Sequence, residues 1–467
     1  MATDLSLTVD RESALPLSEQ VRGSLRRLIE DGSLGEDSPL PSSRQLAADL
    51  AVSRSVVVEA YEQLVAEGYL ATRRGSGTRV ANGIGRPSGA ASALTRALPE
   101  RTESAWDLRT GTSDLDAFPR REWVRSVTAA LAQAGRAELG YAPLSGAPHL
   151  RHVLAGHLGR TRGVRISPQN LMITAGFAQG LALLCAMLRE NGHRDLGVED
   201  PSHPGEREFI ASAGLRPVGI PVDAEGLRVD LLERSPARAV LTTPGNQFPT
   251  GVRLSPARRA QLIEWARKVD GYILEDDFDC AYLDRADRVP SLQNLAPDRV
   301  VYAGSVSKVL APALRLGWIA GPPEVMSGVE AVRAGWDIGC SGLEQLAFAH
   351  FVATGAYDRH QRALRTESHK RRALIRTMVA EHFPGAHMLG GDSGIQAFVT
   401  LPSHMDEQVL VREARNRSIL IRGGAFYTLD DRTRPPALVL GYATIDGKGL
   451  QTALTALGDI YRSCAVR

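Results

Sequence analysis

At 467 residues the chain is long enough for two or three domains rather than one. Its 43% hydrophobic and 23% charged residues are typical of a folded soluble protein, its net charge of +2 selects no class of partner, and no apolar run reaches the roughly 20 residues of a membrane helix. The opening MATDLSLTVD is too polar for a secretory leader, so the expected location is the cytoplasm. Cys185, Cys280, Cys340 and Cys464 lie far apart, with no CxxC pair and no histidine cluster, which argues against a metal site or a disulfide framework. Four of the basic residues are lysines (Lys268, Lys308, Lys370, Lys448) and 51 are arginines. In so arginine-rich a chain, a retained lysine draws interest for its amine, which forms a Schiff base where a guanidinium does not.

Val21, Leu25 and Leu28 recur at i, i+4 and i+7, which predicts a first helix with one buried stripe. Pro39 and Pro41 then break the chain. Ser42 and Gln45 form an S-x-x-Q capping box for a second helix carrying Leu46, Ala47 and Leu50. After a bend over Ala51, Val52 and Ser53, Ser53 is placed to cap a third helix with Val57, Tyr61 and Leu64 inward. GYLATRRGSGTRV then predicts a hairpin. This order is that of a winged helix-turn-helix, whose third helix enters the major groove N-terminus first. Ser53, Arg54 and Ser55 would meet the bases, and Arg44, Arg73 and Arg74 the phosphates. Against this, residues 1–80 hold nine arginines, no lysine and twelve acids, a formal charge of −3. A DNA reader is usually basic, so a small helical dimerisation domain is the competing reading of the pattern alone.

Residues 81–105, rich in Gly, Ala, Ser and Pro, read as a flexible linker. From Trp106 onward, NLMITAG, DLGVED, RAVLTTP, GYILEDD and RVVYAGS alternate with helical stretches, the pattern of an α/β domain with a mostly parallel sheet. A large part over about 106–340 precedes a smaller α+β part over about 341–467.

Several residues of this second region match the needs of pyridoxal phosphate: an amine, an acid for the pyridine nitrogen, phosphate donors and a flat partner for the ring. Lys308 lies in GSVSKVLAPALRLGW behind Ser305 and Ser307, with Arg315 following at a distance suited to a phosphate. GYILEDDFD ends a strand with Glu275, Asp276 and Asp277, and carboxylates at strand ends face the ligand crevice of an open α/β sheet. A solvated acidic turn or a metal site is the alternative for these acids, and no histidine lies near to support a metal. TAGFAQG opens a helix at which Gly176, Phe177 and Ala178 can cradle phosphate, and His203 can lie flat on the ring.

The stretches LPLSEQVRGSLRRLIEDGSL, LPSSRQLAADLAVSRSVVVEAYEQLVAEGYL and RRGSGTRV resemble the GntR-type winged helix. GTSDLDAFPRREW, GYAPLSGAPHLR, VEDPSHPG, TTPGNQFPTG, EDDFD and GSVSKVLAPALRLGW resemble fold-type I aminotransferases, in particular the aminotransferase-like half of MocR/GabR regulators. The resemblance implies Arg44, Arg54, Gly75 and Gly77 at the DNA, Lys308 as the Schiff-base lysine, Asp276 at the pyridine nitrogen, and Arg315, Ser305 and Ser307 at the phosphate. It also implies a head-to-tail, domain-swapped homodimer with each winged helix over the partner's large domain.

Three positions depart from the pattern. Phe278 stands where EDDYD has a tyrosine whose hydroxyl meets the cofactor, and Asn246 is a candidate to make up that donor. His203 stands where a tyrosine usually stacks. Val439, in ALVLGYATID, stands where aminotransferases hold the substrate carboxylate with arginine, and Arg422 in ILIRGGAFY could serve a different ligand. Two main functions fit. One is a pyridoxal-phosphate-dependent regulator that binds operator DNA and senses an amine, an amino acid or the cofactor itself, in amino-acid or vitamin B6 metabolism. The other is a working aminotransferase with an appended DNA-binding domain. The missing tyrosine and arginine favour the sensor, and the missing arginine tilts its signal toward pyridoxal phosphate. An architectural DNA-bound dimer with a dead cofactor site is the third reading.

Overall fold

The structure, a computed structural model, describes residues 7–11, 13, 15–73, 77–81, 106–111, 113–283, 289–429 and 434–465. The chain divides into two compact units, Met1–Glu100 and Arg101–Arg467. The expected linker falls almost wholly outside the described residues, as do Arg74, Gly75 and the side chain of Arg73.

In the first unit, helices α1 (Leu17–Glu30), α2 (Ser43–Asp49) and α3 (Arg54–Ala66) lead into an antiparallel hairpin of β1 (Leu70–Arg73) and β2 (Gly77–Val80). Gly77 has φ +80°, the left-handed region that favours glycine as the chain leaves the hairpin tip. Val21, Leu25 and Ile29 of α1, Leu46, Ala47 and Leu50 around α2, and Val57, Ala60, Tyr61 and Leu64 of α3 form one core. Leu28 packs only partly, because Ile29 at the next i+4 step takes the buried stripe. One arm of the expected capping box forms: Ser42 Oγ accepts the Gln45 amide at 3.2 Å. Gln45 itself reaches forward to Asp49 at 2.8 Å instead of back. Ser53 does not cap α3; its hydroxyl pairs with that of Ser55 at 2.8 Å.

The buried Tyr61 hydroxyl donates to the Pro41 carbonyl at 2.9 Å, tying α3 to the turn before α2. Tyr61→Phe leaves that carbonyl without its partner and should cost about 1 kcal/mol in a denaturant melt. An unchanged midpoint would mean that solvent replaces the hydroxyl.

In the second unit, β3 (Trp106–Asp107) precedes the strands β4 (Leu171–Thr174), β5 (Asp195–Asp200), β6 (Arg216–Asp223), β7 (Gly226–Leu227), β8 (Ala239–Thr242), β9 (Tyr272–Asp276), β10 (Val300–Ser305) and β11 (Gly317–Ala320). The eight strands β4 to β11 form one sheet in the order β4-β11-β10-β9-β8-β5-β6-β7. Strands β10, β9, β8, β5 and β6 run parallel, while β11 is antiparallel to both β10 and β4. The five runs expected as strands are β4, β5, β8, β9 and β10. Their near-continuous apolar character reflects burial on both faces beneath helices. The smaller part begins with helices Gly342–Ala353 and Ala356–His382. It continues through β12 (His387–Leu389), β13 (Gln396–Thr400), β14 (Ile419–Leu420), β15 (Arg422–Gly423) and β16 (Ala437–Gly441). Strands β12, β13, β16 and β15 form a second, antiparallel sheet, and β14 pairs with β3. Among the described residues no helix is long and apolar enough to cross a membrane.

Candidate functional site

Strands β4, β5, β9 and β10 all point the same way, so the segments leaving their C-terminal ends gather at one edge of the sheet, where ligands of open α/β folds bind. A cavity of about 290 Å³ opens there. Phe177 and Ala178 line it from beyond β4, His203 from beyond β5, Asp276 and Phe278 from the end of β9, and Ser305, Ser307, Lys308 and Arg315 from beyond β10.

The three acids ending β9 do not share a role, because successive side chains on a strand point to opposite faces. Asp276 lines the cavity. Glu275 instead accepts the Leu292 and Gln293 amides at 3.0 and 3.1 Å, and Asp277 is bound by Arg162 at 2.6 Å and by the Tyr302 hydroxyl at 2.5 Å. The expectation that carboxylates at this strand end face the crevice therefore holds for Asp276 alone. Its Oδ1 is buried and has no hydrogen-bond partner. Burial, then the charges of Glu206, Asp277 and Asp279, push this carboxyl well above its ordinary range, and Lys308 opposes them. A cation or protonated ring nitrogen beside Oδ1 would relieve that penalty.

Lys308 Nζ donates to the Gly111 carbonyl at 2.5 Å. Burial lowers its pKa below that of a free lysine, against the pull of Asp276 and Glu206, so the neutral amine is more accessible here. Arg315 turns back in a left-handed conformation and donates to the Ala175 carbonyl at 2.5 Å. Gly176, at φ +84°, ends the turn before helix Phe177–Glu190, and a Cβ there would come within 3.1 Å of the Arg315 guanidinium. A guanidinium beside a helix N-terminus suits a phosphate.

His203 caps the Pro204–Ser212 helix, its Nδ1 accepting the Gly205 amide at 3.1 Å, and its ring lies 5.7 Å from Phe248. Loss of solvent, then the charges of Lys308 and Arg207, hold its pKa below the usual value, which favours the neutral imidazole. Phe278 packs edge-on against Phe248 and brings no polar group. Asn246 is turned away from the cavity wall: its amide donates to Asp279, whose carboxyl burial pushes up to about 7. Val439 is wholly buried among Phe398, Tyr427 and Ala437, and offers a ligand nothing polar.

The cavity also gathers residues that sequence patterns did not single out: Arg109, Thr110, Gly111, Glu206 and Gln396. Glu206, three positions past His203 on the helix it caps, is pushed to about 8 by burial and then by Glu199. Gln396 is buried on β13, and neither end of its amide has a hydrogen-bond partner. Among the described residues no group of three His, Cys, Asp or Glu could hold a metal.

In the first unit, Arg44, Ser53, Arg54 and Ser55 are exposed around the N-terminal ends of α2 and α3, with Arg54 Nε donating to Ser43 Oγ at 3.3 Å. Glu67, just beyond the other end of α3, binds Arg22 and Arg26 of α1.

Residues 107–457 match the family "Aminotransferase class I and II", and residues 17–80 match "Bacterial regulatory proteins, gntR family". The fold and these matches define a class, a helix-turn-helix transcription regulator with an aminotransferase-like domain. The chain is 30% identical to the probable rhizopine catabolism regulatory protein MocR of Rhizobium meliloti, over 97% of this chain and 96% of that one. It is 29% identical to the pyridoxine biosynthesis transcriptional regulator PdxR of Corynebacterium glutamicum, over 98% and 99%. It belongs to this MocR family of regulators. The kynurenine aminotransferase of Pyrococcus horikoshii, solved with PMP, KYN and KYA, superposes with a TM-score of 0.70 at 25% identity, covering 78% of this chain and 92% of that one.

Proposed function

We propose that this regulator holds pyridoxal phosphate in its second unit and uses it to read an amine or amino acid, altering its grip on operator DNA. The observation that carries the reading is the buried, unpartnered Asp276 Oδ1 in a cavity shared with Lys308 and Arg315. Asp276 would face the pyridine nitrogen and keep it protonated. Arg315, Ser305, Ser307 and the amides of Phe177 and Ala178 would hold the phosphate, with Gly176 giving the guanidinium room. His203 would lie against the ring, and Asn246 would reach the cofactor only by releasing Asp279. When bound, pyridoxal phosphate supplies an aldehyde that condenses reversibly with primary amines. Lys308 supplies the resident amine, and an effector would compete with it. Such a ligand switches the protein only if it favours one conformer.

The proposed DNA contacts are Ser53, Arg54 and Ser55 to bases and Arg44, Arg73 and Arg74 to the backbone, with the wing glycines Gly75 and Gly77 at the DNA, in a head-to-tail, domain-swapped dimer. Regulation rather than turnover is favoured by Phe278 and Val439, which supply neither a hydroxyl nor a carboxylate clamp. A second reading, in which the cofactor itself is the signal, is supported by the likeness to PdxR. It predicts that pyridoxal phosphate alone shifts operator affinity.

The test is the absorbance of the purified chain with added pyridoxal phosphate, beside Lys308→Ala, followed by borohydride reduction and peptide mapping. The expected result is a visible band in the wild type alone. The reduced adduct should sit on Lys308 and spare Lys268 and Lys370, whose side chains are 69% and 70% exposed. A wild type without the band would sink the cofactor reading. Sustained turnover with amino donors and keto acids would replace the sensor by an enzyme.

A further inference from the structure

The turn between β4 and helix Phe177–Glu190 is pinned by two separate groups. Arg315, which lines the cavity, donates to the Ala175 carbonyl at 2.5 Å. The Ala175 amide donates to Gln179 Oε1 at 2.6 Å, and Gln179 Nε2 in turn donates to Asp337 Oδ2 at 2.5 Å. The Gln179 side chain meets an N–H at its oxygen and a carboxylate at its nitrogen, so one orientation of its amide satisfies both neighbours.

Asp337 does not line the cavity. It follows helix Pro323–Ala334 and is itself held: its Oδ1 accepts Arg333 Nε at 2.8 Å and the Gly339 amide at 2.7 Å. The Arg333 side chain is wholly buried, and a second arm of it donates to the Ile173 carbonyl at 2.6 Å, on the strand that runs into the turn. The bonds therefore close a circuit from Ile173 through Arg333, Asp337 and Gln179 back to Ala175. Burial works against the Asp337 carboxylate, but the bonds from Arg333 and the Gly339 amide outweigh it and hold its pKa below the ordinary value. The Arg333 charge faces that carboxylate, so the circuit adds no net negative charge near the turn. What it adds is rigidity. Gly176, at φ +84° and without a side chain, is a pivot between Ala175 and the amides of Phe177 and Ala178. With both the N–H and the carbonyl of Ala175 engaged, the turn keeps its direction before any ligand arrives, which lowers the cost of binding.

We infer that Gln179 and Asp337 are positioning residues for a phosphate group, fixing the Ala175 peptide so that Arg315 and the amides beyond Gly176 stay aimed at one point. This rests on the reading of the turn as the phosphate site, and it assigns to that grip two residues that do not line the cavity. The circuit also reaches the surface. Trp336 and Ile338, on either side of Asp337, are 55% and 67% exposed, so the hold on the phosphate is tied to an exposed segment.

The experiment is a double-mutant cycle on the full chain: wild type, Gln179→Glu, Asp337→Asn and the two together. Each protein is titrated with pyridoxal phosphate and with pyridoxal, followed by the visible band, and with inorganic phosphate, followed by the melting temperature. Gln179→Glu sets two carboxylates against each other, and Asp337→Asn sets two N–H donors against each other. The pair reverses donor and acceptor across the same contact and keeps one carboxylate. Each single change should weaken pyridoxal phosphate by roughly tenfold and shrink the stabilisation by inorganic phosphate, while pyridoxal binds all four proteins alike. The pair should recover most of both losses. The inference is overturned if the single changes leave pyridoxal phosphate binding unchanged, if they weaken pyridoxal equally, or if the pair does no better than the worse single change. A phosphate response that follows the cycle in a protein without the visible band would overturn the cofactor reading and leave the positioning role standing. A visible band that ignores the cycle would do the reverse, and a wild type that takes neither pyridoxal phosphate nor phosphate would overturn both.

Discussion

Asp276→Asn is expected to raise the melting temperature of the cofactor-free protein while weakening its hold on pyridoxal phosphate by roughly 10- to 100-fold, the 1.5–3 kcal/mol of a charged hydrogen bond. Both effects come from the same buried oxygen. Asp276 is 6% exposed, its Oδ1 has no partner, and Glu206, Asp277 and Asp279 add like charge around it. Ionising it in the folded protein is therefore costly, and asparagine removes the cost. The direction of the shift sets the pH dependence. A carboxyl with a folded pKa above its unfolded value binds more protons when folded. Its contribution is fully favourable below the ordinary value of 3.8 and is lost as pH rises through the raised folded pKa. Glu206, pushed to about 8, acts in the same sense. The melting temperatures of wild type and Asp276→Asn should thus converge near pH 4 and separate toward pH 8, with the variant higher. Saturating pyridoxal phosphate should reverse the order, because a protonated pyridine nitrogen stabilises the carboxylate that asparagine lacks. Scanning calorimetry across pH, with and without cofactor, measures both trends. Equal melting at pH 8 together with unchanged cofactor affinity would show that Asp276 does not face the ligand.

The readable parts of this protein were those governed by short-range periodicity. The inward stripe of α3 and the five strands β4, β5, β8, β9 and β10 follow from runs of apolar residues bounded by turn formers. The cavity position of Lys308, Ser305, Ser307 and Arg315 follows from one contiguous motif behind β10. What escaped depends on long-range register and on competition between hydrogen bonds. Nothing local shows that Ser53 prefers Ser55 to the helix amides, or that Asn246 turns to Asp279. Glu275 and Asp277 looked equivalent to Asp276 until the strand sent them to the opposite face. Arg422 and Val439 lie 17 positions apart and become neighbours only through the β15–β16 ladder. Gln396 carried no pattern at all; its interest lies in a buried amide that the surrounding protein leaves unsatisfied.

Residues 1–80 carry a formal charge of −3, which opposes DNA binding in the mean, but two of the acids lie far from the N-terminal end of α3. Glu67 lies beyond the C-terminal end of α3, bound to Arg22 and Arg26, and Glu30 accepts the Tyr69 hydroxyl. Arg54 starts the same helix, thirteen residues long and so about 20 Å from end to end. That separation exceeds the roughly 8 Å screening length of physiological salt, so the C-terminal acids scarcely offset the positive charge at the N-terminal end. Arg54 and Arg44 are exposed there and pair with no carboxylate among the described residues. Arg54→Ala should therefore cost about 1–3 kcal/mol on a duplex selected from a random pool, and far less on scrambled DNA, as expected for a guanidinium that reads a base edge. Arg44→Ala should weaken both duplexes alike and lower the slope of log affinity against log salt by about one, as expected for a phosphate contact. Fluorescence anisotropy at several salt concentrations separates the two roles. If Arg54→Ala weakens selected and scrambled duplexes equally, Arg54 grips the backbone, and the specificity of α3 must then come from Ser53, Ser55 or the shape of the DNA.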